Sequence, residues 1–107
     1  MKRARRTTPD EASLGGVFAR SDRMVGRRIA GEFVLVPIVG HGAQVDAIYN
    51  LNRVGAFAWE QLDGSRSGER IVEALVAHFA VDRPTAEADY RVFLSKLLAI
   101  HAVSRVG

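Results

Sequence analysis

The side chains of this chain best suited to chemistry are three histidines and a few carboxylates, and their spacing argues against catalysis. His41 sits in a turn-like Gly40-His41-Gly42, His78 inside a helical pattern, and His101 where a helix should end. None belongs to a His-Glu-x-x-His motif, which would set two imidazoles one helical turn apart for a zinc ion. His101 is favoured at a helix C-terminus by the helix dipole alone. Asp82, Glu87 and Asp89 could suggest paired carboxylates, but at a helix start they are better read as complementing the positive end of its dipole. Gly40-His41-Gly42 is too short to cradle a nucleotide and reads as a hairpin turn. There is no Gly-x-Ser-x-Gly elbow and no phosphate loop. The chain has 107 residues and no cysteine, which excludes disulfides, thiolate metal sites and Cys nucleophiles. We therefore expect no enzyme, no metal and no cofactor.

The elements that must position these residues follow from periodicity. Residues 1–23 are rich in Arg, Thr, Ser and Gly and keep no apolar period, so they predict a basic, flexible N-terminal arm. Within it, a short ordered piece could form around Leu14, Val17 and Phe18. Residues 24–107 are expected to be the folded domain. Arg28 to Phe33 suggests two strands turning near Gly31, and Phe33-Val34-Leu35-Val36 suits a strand covered on both faces. Pro37 cannot donate to a ladder, so that strand should end or lie at an edge there. Residues 45–51 alternate, placing Val45, Ala47, Tyr49 and Leu51 inward and Asp46, Ile48 and Asn50 outward.

Helices should follow. Asn52 is a good N-cap for a helix over 53–62, which Asp63-Gly64 should end. Trp59 falls on its apolar face and reads as core. Ser67 should cap a second helix over 68–79, with Ile71, Leu75 and Phe79 as its buried stripe. Asp82 and Pro84 should start a third, to about Ile100, with Tyr90, Phe93, Leu94, Leu97 and Leu98 facing the core. A short last strand is expected around 101–106. The predicted fold is α+β and winged helix-turn-helix-like: a three-stranded antiparallel sheet followed by three helices.

Charge is distributed unevenly. Residues 1–28 hold eight Lys/Arg against three Asp/Glu, a net +5; the rest holds seven against nine, a net −2. A polyanion-binding domain should show the opposite distribution, so nucleic acid is not an expected partner. The basic start, Met1-Lys2-Arg3-Ala4-Arg5-Arg6, is followed by no apolar run, so no signal peptide is expected. No stretch approaches the roughly 18 apolar residues of a membrane span. A cytoplasmic location and no membrane partner are expected.

The ordered set Tyr49-x-Leu51-Asn52, Trp59, Asp63-Gly64, Ile71-x-x-x-Leu75-x-x-x-Phe79, and Asp89 with Phe93 and Leu97 resembles the PqqD-like family over about residues 24–106. The resemblance implies a non-catalytic recognition element for ribosomally synthesised, modified peptides (a RiPP recognition element). It implies that the leader of a precursor peptide adds as a strand to the third strand, here residues 45–51, and lies against the third helix. The domain would then present the precursor to a modifying enzyme such as a radical SAM protein, a cyclase or a leader peptidase. Carried onto this chain, the peptide-binding residues are Asp46, Ile48, Tyr49, Asn50, Asp89, Val92, Phe93 and Lys96. Lys96 and Arg91 would meet acidic leader residues. Gly55 inside the first helix, Ala58, and His101-Ala102-Val103 depart from the family pattern.

The alternative reading is a winged-helix DNA-binding regulator. Against it, 84–100 carries only Arg91 and Lys96 against Glu87 and Asp89, few donors for phosphate and base edges. A structural interaction module is a further option. An exposed strand edge can also pair with its own copy, which allows a homodimer.

Overall fold

Three polar side chains start the three helices. In the computed structural model, which describes residues 14–38 and 49–106, the Asn52 side chain accepts the Gly55 N–H at 2.8 Å and opens α1 (Arg53–Gln61). The Ser67 hydroxyl accepts the Arg70 N–H at 3.3 Å and opens α2 (Gly68–Phe79). The Asp82 carboxylate accepts the Thr85 N–H at 3.3 Å and the Thr85 hydroxyl at 2.9 Å, opening α3 (Arg83–Ala99). Those Thr85 bonds hold the Asp82 carboxyl below its ordinary pKa. Each cap satisfies one of the donors that a helix start leaves without a partner.

The strands form two three-stranded antiparallel sheets. One is a local meander of β2 (Met24–Ile29), β3 (Glu32–Pro37) and β4 (Tyr49–Leu51), in the order β2-β3-β4. Its first turn is the pair Ala30-Gly31, both with positive φ (54° and 83°). Two such residues give a hairpin whose twist matches the strands it joins. Pro37 is the last residue of β3, as expected. The turn expected at 40–42, and positions 45–48, lie outside the described residues.

The second sheet was not expected. It has the order β5-β1-β6, from β1 (Val17–Arg20), β5 (Asp63–Ser67) and β6 (Val103–Arg105). Two expectations change. Residues 17–23 are not part of an arm: β1 is the central strand, and Phe18 is only 2% exposed. Asp63-Gly64 does more than end a helix, because it begins a strand paired with β1. Gly64 has φ +86° in β5, whose pairing with β1 shifts register between Val17 and Ala19. A residue free to take positive φ suits such an irregularity. The physical reason for both misreadings is the same. A strand of four or five residues has too little pattern of its own, and its partners are distant in the chain.

The three helices pack on both sheets around one core. Trp59 sits in it, 4% exposed, among Phe18, Leu35, Leu62, Ile71 and Leu94. Gly26 of β2 makes room for this arrangement. A Cβ there would lie 2.6 Å from the Phe33 ring and 2.8 Å from the Trp59 indole nitrogen. Arg20, expected in the arm, donates to the backbone carbonyls of Trp59 (3.0 Å) and Glu60 (2.9 Å). It caps the C-terminus of α1, which has no basic residue in its own last turn.

Candidate functional site

β4 is where the sheet stops. Among the described residues it pairs with β3 on one side and with no strand on the other. Alternate N–H and C=O groups of an edge strand face outward, ready to pair with an added chain. Tyr49 is half-buried and packs against the core, while Asn50 is exposed. The Asn50 amide donates to Glu32 at 3.2 Å. What these two residues offer outward from the edge is therefore backbone.

Beside the end of β4, an open groove of about 360 Å³ runs between α1 and α3. Asp89, Val92, Phe93 and Lys96 line its α3 side. All four expected α3 residues therefore share one surface. Positions 89, 92, 93 and 96 follow the helical three-and-four spacing, which keeps them on one face. Val92 is 55% exposed, large for an apolar side chain, and Phe93 is half-buried. Asp89 and Lys96 mark opposite ends, and neither forms an ion pair among the described residues. Expected site residues Asp46 and Ile48 lie outside the described residues.

The α1 side of the groove is cut by a glycine that sequence reasoning could only register as unfavourable in a helix. A Cβ on Gly55 would lie 3.4 Å from both the Phe93 ring and the Asn52 side-chain oxygen. Leaving it out keeps the groove open beside the helix cap. Deeper in the groove wall, Tyr90 is 1% exposed, and burial pushes its phenol up to about 12. Its hydroxyl has no hydrogen-bond partner among the described residues.

The histidines do not converge. His78 is exposed and stacks on Phe57 with ring centroids 4.3 Å apart, and His101 follows α3 with φ 59°. His41 lies outside the described residues. Among the described residues, no group of three His, Asp or Glu is placed to hold a metal ion. No helix there is long and apolar enough to cross a membrane.

An edge strand beside a helix-lined groove, on an α+β domain of three helices and two small sheets, defines a class built for holding an extended chain. The model of the family described as coenzyme PQQ synthesis protein D matches residues 32–103, and the chain belongs to this PqqD family. Among solved structures, TbiB1 in complex with the TbiA(beta) leader peptide is similar. It is 34% identical, with a TM-score of 0.65 over 80% of this chain and 94% of that one. No curated protein matches the chain.

Proposed function

We propose that this protein is a non-catalytic adaptor that binds the leader of a ribosomally made precursor peptide and hands it to a modifying enzyme. The leader adds as a strand to β4, and its inward side chains enter the α1–α3 groove. Backbone bonds supply affinity, and the groove selects sequence. The observation that carries this reading is the junction of an edge strand with an apolar helix face, exposed Val92 and half-buried Phe93. The similar solved structure, TbiB1 in complex with the TbiA(beta) leader peptide, supports it. Asp46 and Ile48, which lie outside the described residues, belong to the same proposed site. Asp89 and Lys96 would pair with charged leader positions. The receiving enzyme, whether radical SAM protein, cyclase or leader peptidase, belongs to the same proposal, as does a cytoplasmic location.

The test is a titration by fluorescence polarisation. The probes are the TbiA(beta) leader and the leaders of short reading frames beside the gene of this chain. Saturable binding to one of them, with amide shifts in β4 and α3 on NMR spectra, is the expected result. Binding that leaves β4 and α3 unshifted would refute strand addition. The DNA-binding alternative gains no support from the helix it would use. Arg83 at the start of α3 is already held by Glu87 at 2.8 Å and by Glu69 at 3.5 Å. A salt-sensitive mobility shift with duplex DNA, and no leader binding, would reverse that judgement.

A further inference from the structure

The other side of α1 carries a second, larger open groove of about 910 Å³, between α1, the β2–β3 hairpin and the end of α2. Its floor is aromatic. Phe57 is stacked with His78 and meets the Phe79 ring edge-on at 5.5 Å between centroids. Two guanidiniums hang over its walls. Arg28 lies 5.5 Å from the centroid of the Phe33 ring, and Arg53 lies 5.8 Å from that of Phe79. Rings of this kind hold a cation in place without neutralising it.

Among the described residues, neither arginine has a carboxylate within ion-pair distance. Two acids also line the groove, and neither lies within ion-pair distance of these arginines. One Glu32 oxygen is taken by the Asn50 amide. Glu60 is seven residues along α1 from Arg53, about 10 Å by helical rise. The groove thus offers an apolar floor and two positioned cations, and it fits a segment that brings a bulky apolar side chain flanked by carboxylates.

The position of the groove selects the occupant. Asn52 lines both grooves, and Asn50 and Leu51 of β4 line the second one. The two grooves meet at Asn52, one residue beyond the end of β4, where a chain extended along β4 would reach both. The chain's own start is a poor candidate, since Lys2, Arg3, Arg5 and Arg6 would meet Arg28 and Arg53 with like charge.

We infer that the second groove binds the part of the precursor that flanks its strand-adding leader segment, through an apolar side chain against Phe57 and His78 and carboxylates on Arg28 and Arg53. This rests on the leader-binding reading. It adds a second recognition step, which lengthens the peptide that the adaptor reads.

The test uses three fluorescein-labelled peptides. They are the full precursor encoded beside this chain, the same peptide trimmed to its strand-adding segment, and the full precursor with its flanking carboxylates replaced by amides. Each is titrated into the wild type and into the Arg28→Gln/Arg53→Gln double variant, whose two positions are exposed and outside the core. The full precursor should bind the wild type roughly five-fold more tightly than the trimmed one. The double variant and the amide peptide should each remove most of that advantage, with affinity for the trimmed peptide unchanged. An equal affinity for full and trimmed peptides overturns the inference, as does an advantage that survives undiminished in the double variant. If the variant keeps every peptide affinity but no longer retains the modifying enzyme, the groove serves that enzyme and the inference is wrong. If no peptide binds at all, the leader-binding reading falls and takes the inference with it.

Discussion

The two sheets of this protein have three strands each among the described residues and do opposite work. The β2-β3-β4 meander is built from neighbours in sequence and ends in a strand with an open edge among the described residues. The β5-β1-β6 sheet is built from segments near the start, in the middle and at the end of the domain, and its central strand carries the buried Phe18. The meander presents a surface. The other sheet closes the fold by tying those distant segments together. Local pairing costs little loop-closure entropy, while distant pairing must recover more through burial. A small recognition domain can therefore leave one sheet unfinished because the other completes the core.

The comparison breaks most visibly at Phe18. Phe18→Ala should cost about 3–5 kcal/mol, since it empties a fully packed site. That is a large share of the roughly 5–15 kcal/mol that stabilises a typical domain. Urea unfolding measures it. A loss below about 1 kcal/mol would mean that β1 does not close the fold.

On the other side, Val92→Asp should leave the urea midpoint nearly unchanged and weaken leader binding by roughly ten-fold or more, the scale of losing one buried Val contact. A variant that binds normally would separate the groove from the edge strand beside it. The junction of the meander with the core is tested by Gly26→Ala. The added methyl overlaps the Phe33 ring and the Trp59 indole and should cost about 1–3 kcal/mol, with a shift in Trp59 fluorescence.

Tyr90 gives a pH-dependent test. Its folded pKa of about 12 lies above the ordinary 10.0. Below about pH 10 both folded and unfolded states keep the proton, and stability does not depend on this group. Above that the unfolded chain releases the proton first, so stability falls as pH rises through the folded value. Tyr90→Phe should remove that part of the alkaline loss, read as the difference in urea midpoints between about pH 9 and pH 11. The smallest effect is expected at Gly55→Ala, a gain of up to about 1 kcal/mol in helix stability. The methyl would reach ordinary contact with Phe93 and narrow the groove, so leader affinity should fall slightly while stability rises.

The legible parts of this molecule are those whose cause is local. Asn52, Ser67 and Asp82 cap the helices as expected, because a cap is a bond between residues three positions apart. The hairpin near Gly31 follows from one turn, and the α3 groove face follows from helical spacing. The family resemblance pointed to the same four α3 residues that the structure places on one groove. What could not be read was the pairing of β1 with β5 and β6, the role of Arg20 and the empty space at Gly26. A basic residue in a polar stretch reads as solvated. Only the folded chain shows that Arg20 reaches the carbonyls of Trp59 and Glu60. A glycine in a strand reads as a weakness until two aromatic rings are found against it.

By itself, then, the sequence determined where helices begin and which faces are apolar, and its motifs carried the resemblance to the PqqD-like family. Those properties depend on side-chain types at short, regular spacings. The tertiary structure alone decided that Phe18 lies at the centre of a second sheet, and that α1 separates two grooves sharing Asn52. Both are facts about segments brought together from far along the chain. Their partners are selected by packing and closure of the whole core, and no short pattern carries that information.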